Sequence, residues 1–423
     1  MNDPFLVPFK ERIQKELPKK SEKKVGRIRT SKFTGKERGD LDDERLKQAK
    51  EHIKDTEKNV KQREDVEDEE TKTKNVFEQI FQESLDKTKQ REDLASTLTL
   101  SDIFSINKTR TMTQPYTSAI ISPTDQTKVY FSSQDGKIMT YDITTNRFSG
   151  EFIIPETKKS SRRPPINNLT IDQEGTVLVA AASNKHVYCF DPKTNELSGD
   201  LRGHQDEVMT CCFREGTLDL FTSGNDRSIK MWNIATMGLM DTFYGHLNSV
   251  TTVDALSSER CLTASTDKTL RIFKVVGETQ LVYNSHEIMD CAAFLDEAKF
   301  IAGSNVGDLS LFGVTRKTHI EKLDKAHKNG VSTIKCIRYS DAFFTGGVDG
   351  VVKFWSYKDR IAYLDGERHF NLSGSVQLPG CVNGIDVMRD NSAIVCAVGR
   401  RFRLGDWHAD PSRKNGIAII KLK

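Results

Sequence analysis

A histidine, an aspartate and a hydroxyl close together are the makings of a hydrolase triad, and this chain offers the set three times: His204 with Thr222 and Asp226, His246 with Thr263 and Asp267, His327 with Thr345 and Asp349. In a triad the carboxylate orients an imidazole that takes the hydroxyl proton. Here, however, the set keeps fixed spacing. Each Asp lies six residues before an aromatic (Trp232, Phe273, Trp355), and each Thr lies four before its Asp. A catalytic site is not copied along a chain at a constant period. A buried structural bond is, because each His can bond one Asp and one Thr and leave no polar group unpaired. The sequence also lacks a glycine-rich phosphate loop, a nucleophile elbow, an HExxH pair and a carboxylate pair with a defined strand context. We therefore expect no enzyme activity, no cofactor, no metal and no small-molecule substrate.

The period itself defines the elements that hold these residues. His204, His246, His286 and His327 are spaced 42, 40 and 41 residues apart, and Trp232, Phe273, Phe312 and Trp355 recur 41, 39 and 43 apart. From about residue 100 the chain is made of short β-branched and aromatic runs separated by Gly, Asp, Asn and Ser, which read as strands and turns. With two Gly-His dipeptides, this is the WD40 pattern. Weaker copies surround Tyr141, Phe190 and Trp407, so the fold expected is all-β: a seven-bladed WD40 β-propeller with an N-terminal charged, largely helical or disordered extension. In the last blade the runs VNGIDVM, AIVCAVG, RFRLGDW and GIAIIKL read as four strands. That leaves ring closure open, with residues 105–116 available as an added outer strand.

Charge supplies the second chemistry. The chain has 423 residues, 63 Lys+Arg against 60 Asp+Glu and a formal charge of +3. That near-neutral total is segregated. Residues 1–38 carry +7, residues 39–93 carry −6 and the remainder +2. Lys19, Lys20, Lys23, Lys24, Arg27 and Arg29 fall within 11 residues, a run that suits nuclear import, phosphate contact or both, with a merely solvated tail as the alternative. Leu46, Ile53 and Val60 recur every seven residues, and Val76, Phe77, Ile80, Phe81 and Leu85 form a denser apolar face. These read as helices that dock onto another molecule or back onto the main domain. The organisation expected is a basic arm (1–40), a charged helical extension (41–100) and the propeller (101–423).

Within a blade, the His loop and the Asp turn share one face of the disc. Lys158, Lys159, Arg162, Arg163, Arg227, Lys268, Lys328, Arg400, Arg401 and Arg403 map to it or to the loop beside it, making it locally basic and its residues RNA-binding candidates. Arg401 stands where the last blade would carry its buried Asp, and an Arg cannot accept the His hydrogen bond. No RNA-recognition, KH or zinc-knuckle signature is present. The eight Cys form no CxxC pair and several sit in apolar runs such as AIVCAV, which reads as buried thiols in a reducing compartment. The absence of a long apolar stretch or an apolar leader in MNDPFLVPFK predicts a soluble intracellular protein with no membrane partner.

Several segments are more specific than a generic WD40 repeat. SGNDRSIKMWN, the DALS segment (Asp254 to Ser257), the QLVY segment (Gln280 to Tyr283) and the RLG-then-Trp ending (Arg403, Leu404, Gly405, Trp407) resemble the U3-specific WD40 protein family of the U3 small nucleolar ribonucleoprotein. The charged leader with ERLKQAKEHI resembles that family's extension. The resemblance implies a nucleolar, non-catalytic protein that binds the box B/C element of U3 small nucleolar RNA together with a kink-turn-binding protein, within the small-subunit processome that matures pre-18S rRNA for the 40S subunit. Other processome proteins are expected on the N-terminal helices. Asp406 departs from the family, where a basic residue precedes the Trp, and the basic leader is shorter than in many members. A protein-only adaptor, as in ubiquitin ligation or chromatin assembly, is the alternative drawn from the repeats alone.

Overall fold

A computed structural model describes residues 98, 100–107, 114–154, 163–277, 279–357, 370–405 and 412–422. The basic run Lys19–Arg29 and the two expected helices lie outside these residues. Twenty-eight strands are present among the described residues, arranged as seven antiparallel four-stranded sheets. From the innermost strand outward, blade 1 is β2 (Tyr116–Ile121), β3 (Lys128–Ser133), β4 (Ile138–Asp142) and β5 (Arg147–Phe152). Blade 2 is β6 (Ile166–Ile171), β7 (Leu178–Ala182), β8 (His186–Phe190) and β9 (Leu197–Arg202). Blade 3 is β10 (Val208–Phe213), β11 (Asp219–Gly224), β12 (Ile229–Asn233) and β13 (Gly238–Phe243). Blade 4 is β14 (Val250–Ala255), β15 (Arg260–Ser265), β16 (Thr269–Lys274) and β17 (Thr279–Asn284). Blade 5 is β18 (Met289–Phe294), β19 (Lys299–Ser304), β20 (Leu309–Gly313) and β21 (His319–Leu323). Blade 6 is β22 (Val331–Cys336), β23 (Ala342–Gly347), β24 (Val351–Tyr357) and β25 (Phe370–Gln377).

Blade 7 closes the ring and differs from the sequence reading. Its strands are β26 (Cys381–Val387), β27 (Ala393–Gly399), β28 (Gly416–Leu422) and, outermost, β1 (Leu100–Asn107) from before blade 1. β1 runs antiparallel to β28, from Leu100 opposite Leu422 to Asn107 opposite Ile417. RFRLGDW is therefore not the third strand. Its described part forms a single bridge, Phe402 to Gly405, and GIAIIKL takes its place in the sheet. Recruiting β1 covers the edge of β28, which would otherwise present a row of unpaired backbone groups.

Burial follows position within each blade. Middle and inner strands such as MDCAAF in β18 and AIVCAVG in β27 are buried throughout, while outer strands such as RFSGEF in β5 alternate with solvent. The apolar core lies between neighbouring sheets: Phe221, Ile229 and Met231 of blade 3 pack with Val253, Cys261 and Phe273 of blade 4. Polar links repeat the joint nearer the axis. Thr117 donates to the Ile166 carbonyl (2.7 Å), Asn167 to Val208 (2.8 Å), Thr251 to Met289 (3.2 Å), Ser332 to Val382, and Asn383 to Tyr116 (2.8 Å). The first four donors are the second residues of their inner strands and Asn383 is the third of β26; the last bond joins blade 7 to blade 1. At the opposite end of the inner strands, Asp254 accepts the Phe294 N–H and Asp386 accepts the Ile121 N–H, both at 2.8 Å.

Candidate nucleic-acid interface

The repeated His, Thr, Asp and Trp residues meet as rungs. In blade 3, His204 Nδ1 lies 2.7 Å from Asp226 Oδ2, His204 Nε2 lies 2.8 Å from Thr222 Oγ1, and Trp232 Nε1–H donates to Thr222 Oγ1 at 2.8 Å. Blade 6 repeats this with His327, Asp349, Thr345 and Trp355. Asp accepts only, and indole N–H donates only, so the donor chain runs Trp to Thr to His to Asp. In blade 4, His246 bonds Asp267 (2.9 Å) and Thr263 (2.8 Å), but Phe273 supplies no N–H and Thr263 also lies 3.2 Å from the Arg271 carbonyl. Burial raises the Asp226 and Asp267 carboxyls. Hydrogen bonds outweigh it, led by His204 for Asp226 and Thr269 for Asp267, and hold each at about 2. Burial pushes the His246 pKa down against its bond to Asp267. His286 is exposed and joins no rung; its carbonyl accepts from Lys268 Nζ at 3.0 Å.

These rungs fix the His loops and Asp turns to one face. Arg227, Lys268, Lys328, Arg400 and Arg401 are exposed there. Arg163 is partly buried and paired with Glu151; Lys158, Lys159 and Arg162 lie outside the described residues. Sequence reading missed Lys185, at the same turn position of blade 2. Lys185, Arg227 and Lys268 all adopt left-handed backbone, with φ of 72°, 64° and 65°. Blade 5 has Gly307 at that position (φ 103°), where a Cβ would lie 2.3 Å from the His327 carbonyl oxygen. Non-glycine residues in this conformation cost on the order of 1 kcal/mol, so three consecutive blades bear strain that projects a cation. Lys185 Nζ reaches the Gln205 carbonyl at 2.6 Å, linking its turn to the next loop.

Arg403 does not stand with the surface cations. Its loop turns into the central channel, which has a volume of about 840 Å³. Asn383, in place of a His-Asp rung, donates to the Arg401 carbonyl (3.0 Å) and accepts from Arg403 N (3.1 Å), which aims the Arg403 side chain at Thr252 (Nη2 to Oγ1, 3.5 Å). Burial lowers the Arg403 pKa, and its Nε–H has no hydrogen-bond partner among the described residues. Burial raises the carboxyl of nearby Asp290 to about 6, against the opposing charge of Arg403. At the other mouth, Arg338 bonds Glu215 of blade 3 and Asp254 of blade 4, spanning three blades. All eight cysteines are free and seven are buried; burial pushes the Cys189 thiol up to about 12, far from a reactive thiolate. Among the described residues no group of three or more His, Cys, Asp or Glu is placed to hold a metal ion.

Seven sheets in a ring, fastened by His-Thr-Asp rungs, define the class: a seven-bladed WD40 β-propeller. The family model for the WD domain, G-beta repeat, matches residues 195–233, 238–274 and 318–356. Within that class the resemblance is to U3 ribonucleoprotein-associated WD40 proteins, and it extends along the whole chain. The chain is 24% identical over 464 residues to "U3 snoRNP-associated protein-like EMB2271" of Arabidopsis thaliana, covering 100% of this chain and 95% of that one. It is 24% identical over 325 residues to "U3 small nucleolar RNA-interacting protein 2" of Homo sapiens, covering 73% and 66% of the two chains. The solved WD40 repeats of RRP9 superpose with a TM-score of 0.70 at 25% identity, covering 77% of this chain and 100% of that one.

Proposed function

We propose that this chain is a non-catalytic component of the U3 small nucleolar ribonucleoprotein and the small-subunit processome. It acts in the nucleolus, within the nucleus, in pre-18S rRNA processing and 40S ribosome biogenesis. Its propeller (101–423) holds the box B/C element of U3 RNA beside a kink-turn-binding protein, using exposed Arg227, Lys268, Lys328, Arg400 and Arg401. Lys185 adds a sixth cation to the same face, and Arg163, Lys158, Lys159 and Arg162 are further RNA-contact candidates. The basic arm (1–40) serves import or RNA contact, and the extension (41–100) engages other processome proteins.

The observation that carries this reading is the row of left-handed turns bearing Lys185, Arg227 and Lys268 on one face. Fixed cations at neighbouring blades suit a phosphate backbone, because each neutralised phosphate releases counterions. The whole-length likeness to proteins named for U3 association supports the choice of RNA. The His-Thr-Asp sets support a structural role, since Thr222, Thr263 and Thr345 are fully buried and their hydroxyls are out of reach of a substrate. The test is crosslinking of the tagged chain in cells followed by sequencing of the bound RNA. U3 reads centred on box B/C support the proposal. Reads no richer in U3 than an untagged control, with a partner set that survives ribonuclease, point instead to a protein-only adaptor.

A further inference from the structure

The loop that joins blade 3 to blade 4, residues 244–249, passes from the turn that carries Arg227 to the turn that carries Lys268. β12 and β13 end at the pair Ile229 with Phe243, so Tyr244 leaves the sheet beside Ser228, the residue after Arg227. Three residues on, the Leu247 N–H donates to Asp267 Oδ2 at 3.0 Å, which brings the loop beside Lys268. Between these points Gly245 has φ of 154°, and a Cβ there would lie 2.5 Å from Arg271 Nη1 and 2.6 Å from Gln280 Oε1. The backbone is therefore pressed onto the pair that Arg271 forms with Gln280 at 2.9 Å, and the His246 rung holds it there. On this fixed loop Tyr244 is 70% exposed and Leu247 79%.

The three other loops that carry a repeat His place Arg202, Asn284 and Lys325 where this one has Tyr244, and Gln205, Glu287 and Lys328 where it has Leu247. Its charge is also distinct. The loop after β9 includes Asp206 and Glu207 and the loop after β17 includes Glu287, whereas YGHLNS contains no acid. The carboxylates of the adjoining turns, Asp226 and Asp267, are turned inward into their rungs, with side chains 5% and 4% exposed. Tyr244 thus stands on a stretch of the face that offers Arg227 and Lys268 and no exposed carboxylate from its own loop or from either turn. An apolar protein segment would match the ring but not these cations. A nucleotide matches both, with the face of its base against the ring and its phosphates against the cations.

We propose that Tyr244 is a stacking platform for an unpaired base of the bound RNA, with Arg227 and Lys268 taking the phosphates on either side of that base. The proposal rests on the RNA-binding reading above and adds the form of the ligand: a base splayed out of its helix, since a paired base keeps its face within the stack. Stacking asks only for a π-face, so Tyr244 contributes affinity at this point of the face without selecting which base it holds. The neighbouring cations contribute through charge, and the two contributions separate by their response to salt.

The test is binding of the full-length chain to a box B/C RNA, with the kink-turn protein present, over a range of salt. Tyr244→Ala should weaken binding by about five- to one-hundredfold and leave the log–log salt slope as it is in the wild type, because a stacked ring releases no counterions. Tyr244→Phe and Tyr244→Trp should restore the affinity, which assigns the effect to the ring and not to the hydroxyl. Arg227→Ala should instead flatten the slope. Wild-type affinity in Tyr244→Ala overturns the proposal, and so does an equal loss in Tyr244→Phe or a slope that falls when the ring is removed. A Tyr244→Ala chain that binds RNA normally but loses a protein from its native assembly overturns it in favour of a protein contact. In each of these outcomes the wild type still binds the RNA, so the broader reading survives; a wild-type chain that does not bind the RNA overturns both.

Discussion

Asp386 of the last blade accepts the backbone N–H of Ile121 in the first at 2.8 Å, and the same carboxylate holds Lys335 Nζ of blade 6 at 2.8 Å. One side chain thus ties three blades at the place where the ring closes. Asp386→Ala leaves the Ile121 N–H and the Lys335 ammonium without their partner, and should cost about 1–3 kcal/mol, read as a lower thermal midpoint. Asp386→Asn retains an acceptor for Ile121 and should recover part of the loss.

β1 makes closure depend on chain far from the C-terminus. A truncation beginning at residue 98 retains β1 and should yield a monomeric, cooperatively unfolding propeller. A truncation beginning at residue 110 bares the edge of β28 and should aggregate or unfold at lower temperature. Size-exclusion chromatography and thermal scans of the two decide the matter, and equal behaviour would show that β1 is dispensable.

The rungs predict an order of stabilities. Thr345→Val removes the partner of both Trp355 Nε1–H and His327 Nε2, at an expected cost of about 2–4 kcal/mol. Thr263→Val removes the partner of His246 and a long 3.2 Å bond to the Arg271 carbonyl but strands no indole N–H, because residue 273 is Phe, and should cost less. Denaturant unfolding of the two variants gives the comparison.

Acid acts on these rungs in a defined window. Asp226 and Asp267 titrate at about 2 in the folded chain against an ordinary 3.8, so their stabilisation is complete above about pH 4 and is lost as pH falls toward 2. Asp290 has the opposite sign. Its folded value of about 6 lies above 3.8, so its contribution to stability declines as pH rises from about 4 to 6. Unfolding curves of Asp290→Asn should lack that decline, whereas those of Asp226→Asn should lack the acid-side loss.

Much of this architecture was written in local spacing. A buried His needs both its nitrogens satisfied, so His204, Thr222 and Asp226 keep a fixed distance in the chain, and the period follows. Closure was legible only in part: the outer strand expected at 105–116 lies at Leu100–Asn107, and nothing in the sequence pairs it with β28, some 300 residues away. RFRLGDW alternates like a strand, yet Asn383 captures its backbone and turns Arg403 into the channel. Arg403 was consequently placed on the basic face by spacing alone. Lys185 is not marked by the repeat, because blade 2 carries Asn184 where an Asp precedes Arg227 and Lys268.

The central claim is that the face bearing the His loops holds U3 RNA through its cations. Its most direct test is the affinity of the full-length chain for a box B/C RNA, with the kink-turn protein present, measured over a range of salt. The comparison is with a variant carrying Arg227→Glu, Lys268→Glu, Lys328→Glu, Arg400→Glu and Arg401→Glu. We predict a loss of affinity of about tenfold or more and a shallower salt dependence, by roughly 0.7 to 0.9 in log–log slope for each phosphate contact removed. Unchanged affinity and slope in a folded variant would contradict the account.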